Sequence, residues 1–194
     1  MTDQELITGI VNREKPVIQY LVNTYHRQII KTAYHFVQDM DDAQDLAQDV
    51  CIEILESAKQ FRGSASLSTW IYRVTVNKSL NFIRKNKRKQ LVKQFETFFS
   101  IPRQPGEVQN PEPATENNDL HHEDNRRLLE KAVSILPENQ RIAFVLSKYD
   151  ELSYKEVADI MNTSVASVES LLSRAKQNLQ RNLISQFSEY ANKK

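Results

Sequence analysis

Five side chains that could contact nucleic acid follow one another at helical spacing in the middle of this sequence. They are 3, 4, 4 and 3 positions apart and fall on one stripe of a helix, here called the ridge: Trp70, Arg73, Asn77, Asn81 and Arg84. Indole and guanidinium planes stack on unpaired bases, and amides hydrogen-bond to base edges. A dense positive cluster at positions 84–89 follows the ridge and could neutralise phosphates. The pattern favours a nucleic acid that has left the regular duplex.

The ridge requires a helix that is apolar on both sides of it. Leu67, Ile71, Val74 and Phe82 lie on one flank, and Tyr72, Val76, Leu80 and Ile83 lie on the other. A short loop precedes this helix, with Ser66 or Ser68 available as its N-cap. The loop adds polar and aromatic groups to the candidate surface: Phe61, Arg62 and Ser64. The alternative interpretation is an ordinary amphipathic helix in which Trp70 belongs to the core.

A second candidate surface is acidic and lies on a helix predicted over residues 41–57. Its carboxylates recur at spacings of 3, 4, 4 and 3, opposite an apolar stripe: Asp42, Asp45, Asp49, Glu53 and Glu56. This face is either simply solvated or a docking surface for a basic partner. Residues 41–45 also match the DDxxD pattern of prenyl-transferring enzymes, but the chain has no second aspartate motif and no long apolar cavity. We therefore predict no metal site and no cofactor.

A third candidate surface is a helix-turn-helix near the C-terminus. A capping box formed by Ser153 and Glu156 opens a short helix, and a turn at residues 162–164 leads into a longer one. The side chains that project from the second helix, where a major groove would lie, are Ser164, Ser167, Ser170, Leu171 and Arg174. Lys155, Lys176 and Arg181 could reach phosphates.

Composition indicates an all-α protein of two small helical domains. The chain of 194 residues contains three glycines, and its net charge of +1 hides segregated blocks of +4 (1–95), −6 (96–125) and +3 (126–194). The acidic middle block holds four of the six prolines and is predicted to be a flexible linker. A lone cysteine, Cys51, fits a reducing compartment. With no signal peptide or membrane span in the sequence, we expect a cytoplasmic protein without membrane insertion.

Three blocks of this sequence resemble bacterial extracytoplasmic-function sigma factors. They read DAQDLAQDVCIEIL, FRGSASLSTWIYRVTVNKSLNFIRK and LPENQRIAFVLSKYDELSYKEVADIMNTSVASVESLLSRAKQNL. The resemblance implies region 2 in residues 1–95 and region 4 in residues 126–194. It also implies a non-enzymatic subunit that directs core RNA polymerase to promoters and melts the DNA.

The resemblance assigns a role to each surface. The acidic helix would dock on the β′ clamp helices of the polymerase through Asp42, Asp45, Gln48, Asp49 and Glu53. The loop and the ridge would capture and melt the −10 element of promoter DNA. The helix-turn-helix would read the −35 element through Lys155, Ser164, Ser167, Ser170, Leu171, Arg174 and Lys176, beside the β flap. Many members carry Lys and Arg where this sequence has Glu169 and Leu171, so the base contacts of this helix stay open.

The resemblance also bears on regulation and on the free protein. It leaves open whether an anti-sigma factor exists as a further partner. We expect the two domains of the free protein to be uncoupled or packed together, and the polymerase to hold the linker extended between the two promoter elements. The rival interpretation is a stand-alone helix-turn-helix regulator, which would leave the ridge and the acidic helix without a function.

Overall fold

A computed structural model describes the backbone of residues 1–99 and 118–191 and the side chains of residues 1–89 and 126–184. Within these ranges every regular element is helical, as the sequence predicts. The helices are α1 (Asp3–Val11), α2 (Lys15–Val37), α3 (Met40–Ser57), α4 (Leu67–Phe99), α5 (Asn118–Ser134), α6 (Glu138–Phe144), α7 (Tyr154–Met161) and α8 (Val165–Ala191). A 3-10 turn, Ala58–Gln60, follows α3, and a π-helical turn, Val145–Tyr149, continues α6.

The starts of the first four helices follow from local chemistry. A capping box between Thr2 and Glu5 begins α1, and α2 carries Pro16 in its first turn, where the missing N–H costs nothing. The Asp39 side chain caps α3 by accepting from the Asp42 amide at 2.9 Å. At α4 the structure selects Ser66, whose hydroxyl accepts from the Thr69 amide at 3.1 Å.

Helices α1 to α4 enclose the N-terminal core. Ile10, Leu21, Ile29, Ile54 and Ile71 are the largest fully buried side chains of that cluster, with Leu67 beside them. Helix α1 lies so close to α2 that a Cβ added to Gly9 would stand 2.6 Å from a methyl group of Val17. This core holds α3 and the first two turns of α4 in a fixed relation, which positions the acidic face and the ridge.

Helices α5 to α8 enclose the C-terminal core and contain the predicted helix-turn-helix. Ser153 and Glu156 form the predicted capping box at the start of α7. Asn162 ends that helix in the left-handed conformation (φ 51°), which Asn tolerates better than most residues. The turn then delivers the chain to α8, where the Ser164 hydroxyl accepts from the Ser167 amide at 3.2 Å.

The helices that flank the predicted linker are longer than the sequence indicates. Helix α4 continues to Phe99, past the expected limit at residue 95, and α5 begins at Asn118 rather than at Asn125. Both predicted limits rest on the loss of apolar periodicity and on charge, and neither of these prevents a helix. Residues 100–117 lie outside the described residues.

The two domains pack against each other, which is one of the two arrangements expected for the free protein. Four side chains of the N-terminal half are buried in the C-terminal core: Phe36, Tyr72, Val76 and Leu80. The predicted apolar flank of α4 opposite Ile71 is therefore covered by α6 and α7 and not by the N-terminal core. Among the described residues, no helix has the length and hydropathy needed to cross a membrane.

Candidate nucleic-acid and partner interfaces

The acidic face of α3 is open to solvent at its centre. Asp45, Gln48 and Asp49 are exposed, while Asp42 and Glu53 are half-buried. Partial burial and the neighbouring carboxylates raise the pKa of Asp42. Glu53 is also committed to its own domain, since its carboxylate lies 3.0 Å from the ammonium of Lys78 on α4. The exposed centre of this face is thus a concentrated patch of negative charge, and no described basic side chain forms an ion pair with it.

The ridge lies along one side of α4, as its spacing predicts. Asn77, Asn81 and Arg84 are exposed, and Trp70 and Arg73 are half-buried. The Trp70 ring packs against Phe61, with ring centroids 5.4 Å apart and planes tilted by 57°. Trp70 is therefore both a partial core residue and a partly available stacking surface, so neither of the two interpretations of this residue is complete.

The loop before the ridge presents its polar groups to solvent. Arg62 and Ser64 are exposed beside the half-buried Phe61. Gly63 has a positive φ of 69°, a conformation that side chains other than glycine adopt at a cost. No atom lies within 4 Å of a Cβ built there, so the glycine is required by the backbone and not by packing.

Both arginines of the ridge contact the C-terminal domain. The Arg73 guanidinium donates to the carbonyl oxygens of Asp159 and Ile160, the latter at 3.2 Å, at the C-terminal end of α7. The negative end of a helix dipole favours a cation at this position. Arg84 donates to the Glu138 carboxylate at 2.6 Å. The two arginines of the ridge are thus occupied by α6 and α7.

The recognition face of the helix-turn-helix stays largely open. Lys155, Ser164, Ser170, Arg174 and Lys176 are exposed, in agreement with their predicted projection. Ser167 and Leu171 are half-buried, and Leu171 packs partly against the C-terminal core. Ser164 uses its hydroxyl as the N-cap of α8, so a DNA contact from it would compete with that bond.

A set of inter-domain contacts was not predicted from the sequence. Phe36 at the end of α2 is capped by Arg141, whose guanidinium donates to the Phe36 carbonyl oxygen and lies 5.5 Å from the Phe36 ring centroid. Asp150 accepts from the Thr32 hydroxyl at 2.8 Å. The His35 ring stacks on Tyr149, with centroids 4.1 Å apart. Helix α6 reads ENQRIAF, and no sequence signal singled out Arg141 as the buried polar side chain of this helix.

The ridge and the C-terminal domain enclose a cleft of about 490 Å³. Its lining combines apolar side chains with polar and charged ones: Arg73, Val76, Asn77, Leu80, Arg84, Glu138, Asn139, Ile142, Ile160, Met161 and Asn162. Such a lining suits an amphipathic segment better than a small polar ligand. Among the described residues, no group of three or more His, Cys, Asp or Glu is placed to hold a metal ion.

Comparison with known proteins identifies the two halves separately. Residues 21–89 match sigma-70 region 2, and residues 126–179 match sigma-70 region 4. The chain is 26% identical over 185 residues to the RNA polymerase sigma-H factor of Pseudomonas aeruginosa, covering 93% of each chain. It is 28% identical over 181 residues to the ECF RNA polymerase sigma-E factor of Escherichia coli, covering 91% of this chain and 92% of that one.

Solved structures share the fold. CnrH in complex with the cytosolic domain of CnrY aligns with a TM-score of 0.65 at 18% identity, covering 94% of this chain and 97% of that one. The sigma factor RpoE in complex with the anti-sigma factor NepR from Bartonella quintana aligns with a TM-score of 0.58 at 20% identity, covering 85% and 95%. The chain belongs to the sigma-70 family and is an extracytoplasmic-function RNA polymerase sigma factor, which directs promoter-specific transcription.

Proposed function

We propose that this sigma factor docks on core RNA polymerase through α3, melts the −10 element with the ridge and reads the −35 element with α8. Region 2 would span residues 1–95 and region 4 residues 126–194, with residues 96–125 joining them through the polymerase. The protein would act in the cytoplasm, where the polymerase is. It would make or break no covalent bond itself, because the polymerase performs the chemistry.

The acidic face of α3 is the observation that carries the docking role. Asp45, Gln48 and Asp49 are exposed and adjacent, and Asp42 extends the patch toward the start of the helix. Complementary charges accelerate association and fix the register of two surfaces. A basic helical partner such as the β′ clamp helices would satisfy these groups, and region 4 would meet the β flap.

The ridge is suited to a melted strand because its groups recognise faces that a duplex hides. Trp70 offers a partly exposed ring for stacking, and Asn77 and Asn81 offer amides for base edges. Arg73 and Arg84 would bind phosphates once the C-terminal domain has moved away. Phe61, Arg62 and Ser64 would border the first unpaired base from the adjoining loop.

The exposed face of α8 is suited to the major groove of a duplex. Ser170 and Arg174 would reach base edges, and Lys155 and Lys176 would position the helix on phosphates. Leu171 is half-buried and apolar, so it would contribute at most contact with a thymine methyl group. Specificity would therefore depend on fewer hydrogen bonds than a cationic side chain at 171 would allow.

An anti-sigma factor is the regulatory partner that we propose. Two proteins of the same fold were solved with a bound partner: CnrH with the cytosolic domain of CnrY, and the sigma factor RpoE with the anti-sigma factor NepR. In this chain the cleft between α4 and α6–α7 offers an apolar floor with Arg73 and Arg84 at its rim. An amphipathic segment with acidic residues at its edges would fit that cleft and hold the two domains away from promoter DNA.

Charge reversal on α3 tests the docking role. The variant Asp45→Lys with Asp49→Lys should lose affinity for core polymerase by at least about a hundredfold, since each reversed charge at a complementary interface costs several kcal/mol. The matched control reverses two exposed acids away from α3, Glu14→Lys with Glu169→Lys, and should bind core normally in the absence of DNA. Unchanged affinity of the α3 variant, with its helical circular dichroism intact, would refute the assignment.

A further inference from the structure

The turn that follows α6 rests on α2 and joins the two domains. The Asp150 side chain is 2% exposed and accepts a hydrogen bond from the Thr32 hydroxyl at 2.8 Å. Lys31 donates to the Tyr149 carbonyl oxygen, and its ammonium lies 3.8 Å from the second carboxylate oxygen of Asp150. His35 stacks on the Tyr149 ring one turn further along α2. This contact forms only while the domains are closed.

The carboxylate of Asp150 is poorly solvated in this position. A carboxylate has about four acceptor sites, and among the described residues one direct hydrogen bond, from the neutral Thr32 hydroxyl, occupies one of them. The Lys31 ammonium stands beyond hydrogen-bond distance from the carboxylate, and its side chain is half exposed, so its attraction is screened. Burial of an ion with so few partners costs more than those partners return.

Closure also engages both arginines of the surface that would bind a melted strand. Arg73 is held by the end of α7, Arg84 is held by Glu138, and Tyr72, Val76 and Leu80 are buried under the C-terminal domain. A nucleic acid that contacts the whole ridge, with both arginines, therefore requires the closed arrangement to open. Whatever weakens the closed packing makes the ridge available.

We propose that Asp150 is a release element, whose buried and poorly solvated carboxylate keeps the closed packing weak enough to open. The uncharged isostere Asp150→Asn would keep the Thr32 hydrogen bond, remove the buried charge and hold the protein closed. The equilibrium between the closed and the open protein does not depend on the proposed function. The consequence for DNA binding by the ridge does rest on the proposed function.

Protonation of each titratable group at this contact shifts the closed-to-open equilibrium in a definite direction. In the closed state burial raises the pKa of Asp150 to about 6, although Thr32 and Lys31 each lower that pKa in part. In the open state the carboxyl group returns to its ordinary pKa of 3.8. Protonation below about pH 6 therefore favours closure. Burial and Lys31 lower the pKa of His35 from 6.5 to about 4 in the closed state, so protonation of His35 favours opening over the same range.

These two titrations oppose each other in the natural chain. Between about pH 7 and pH 5, Asp150 alone would shift the equilibrium about tenfold toward closure. His35 acts in the opposite direction, and lowering its pKa from 6.5 to about 4 gives an effect at least as large, about twentyfold over the same range. Tyr72 also faces Asp150, but its pKa is raised further by burial and it stays neutral here. The variant His35→Phe, which keeps the ring stack, should expose the Asp150 effect.

Energy transfer between the domains measures closure directly. Dyes would be placed on Gln19→Cys and Gln177→Cys in a Cys51→Ser background of the full chain. Asp150→Asn should raise the closed-to-open ratio about tenfold or more at neutral pH, because the closed state would no longer bury an ion that is poorly compensated. Glu151→Gln is the matched control, because it removes one charge from the exposed neighbour and should change nothing.

Binding of a short labelled single-stranded DNA of mixed sequence reports the ridge in the same samples. Asp150→Asn should weaken that binding in proportion to closure, and His35→Phe should close further as the pH falls from about 7 to 5. A more open Asp150→Asn protein would overturn the proposal, because Asp150 would then be a clasp. Closure that increases while DNA binding stays unchanged would support the release element and refute the ridge assignment.

Discussion

Removal of the Arg141 guanidinium should open the protein, and Arg141→Met is the substitution that isolates this effect. The guanidinium caps the last turn of α2 by donating to the Phe36 carbonyl oxygen, and it donates to the Ser134 carbonyl oxygen of its own domain at 3.3 Å. Methionine retains most of the apolar volume of the side chain but provides no donor. The Phe36 carbonyl would then be left without this partner inside the interface.

Two opposing terms decide the size of the effect. Hydrogen bonds to charged groups contribute about 1.5–3 kcal/mol, and leaving the buried carbonyl unpaired costs about 1–3 kcal/mol. In the other direction, burial lowers the pKa of Arg141, and its Nε atom, buried, has no hydrogen-bond partner among the described residues. Removing the buried guanidinium also removes the cost of its desolvation, which offsets part of the free energy lost with its hydrogen bonds. We expect a net weakening of closure by about 2 kcal/mol, or about thirtyfold in the closed-to-open ratio.

The assay is energy transfer between the two domains, read together with thermal unfolding. Arg141→Met should lower the transfer efficiency and make the unfolding of the two domains less coincident, because their shared core is weakened. The control is Lys148→Met, which removes an exposed cation from the neighbouring π-helical turn. Equal transfer efficiency for the two variants would refute the view that Arg141 holds the domains together.

Two further substitutions test local features of the two interfaces. Ser153→Ala removes the capping box with Glu156 and should lower the stability of the C-terminal domain by about 1–2 kcal/mol, seen as a lower unfolding midpoint. Gly63→Ala meets no steric clash but forces a residue with a Cβ to adopt a positive φ. It should therefore lower the stability of this loop conformation by about 1–2 kcal/mol. Its effect should appear in single-stranded DNA binding and hardly in core-polymerase binding.

The sequence predicted the helices well because their signals are local. The capping box at Ser153, the proline in the first turn of α2 and the 3.6-residue period of α4 each depend on neighbours within one or two turns. The ridge was predicted for the same reason, since five positions on one helix need no knowledge of the tertiary fold. The prediction that Ser66 or Ser68 caps α4 was narrowed by the structure to Ser66.

Apolar periodicity predicts which side of a helix is buried, but it does not predict which element packs against that side. Tyr72, Val76 and Leu80 were predicted to be apolar neighbours of the ridge, but the surface that buries them comes from helices some 60 to 90 positions later in the chain. The polar contacts of Arg141 and Asp150 depend on that same long-range packing. Such contacts lie between residues that no short pattern links, so one sequence could not reveal them.

Because the acidic face that we propose for docking is exposed in the closed arrangement, we expect docking to precede opening. Asp45 and Asp49 are accessible in the closed arrangement, while Arg73 and Arg84 are held by the C-terminal domain. Core polymerase could therefore bind the closed protein, and separation of the domains would follow on the polymerase surface.

The variant Asp150→Asn, whose closed state we expect to be more stable, distinguishes docking before opening from opening before docking. It should associate with core polymerase at the natural rate within about twofold, yet reach the open complex about tenfold more slowly, because the domains must still separate. Stopped-flow association and permanganate reactivity, on a promoter selected with the reconstituted holoenzyme, measure the two steps, with Glu151→Gln as control. If association itself slowed in proportion to closure, opening would have to come first, and the acidic face would not be the initial contact.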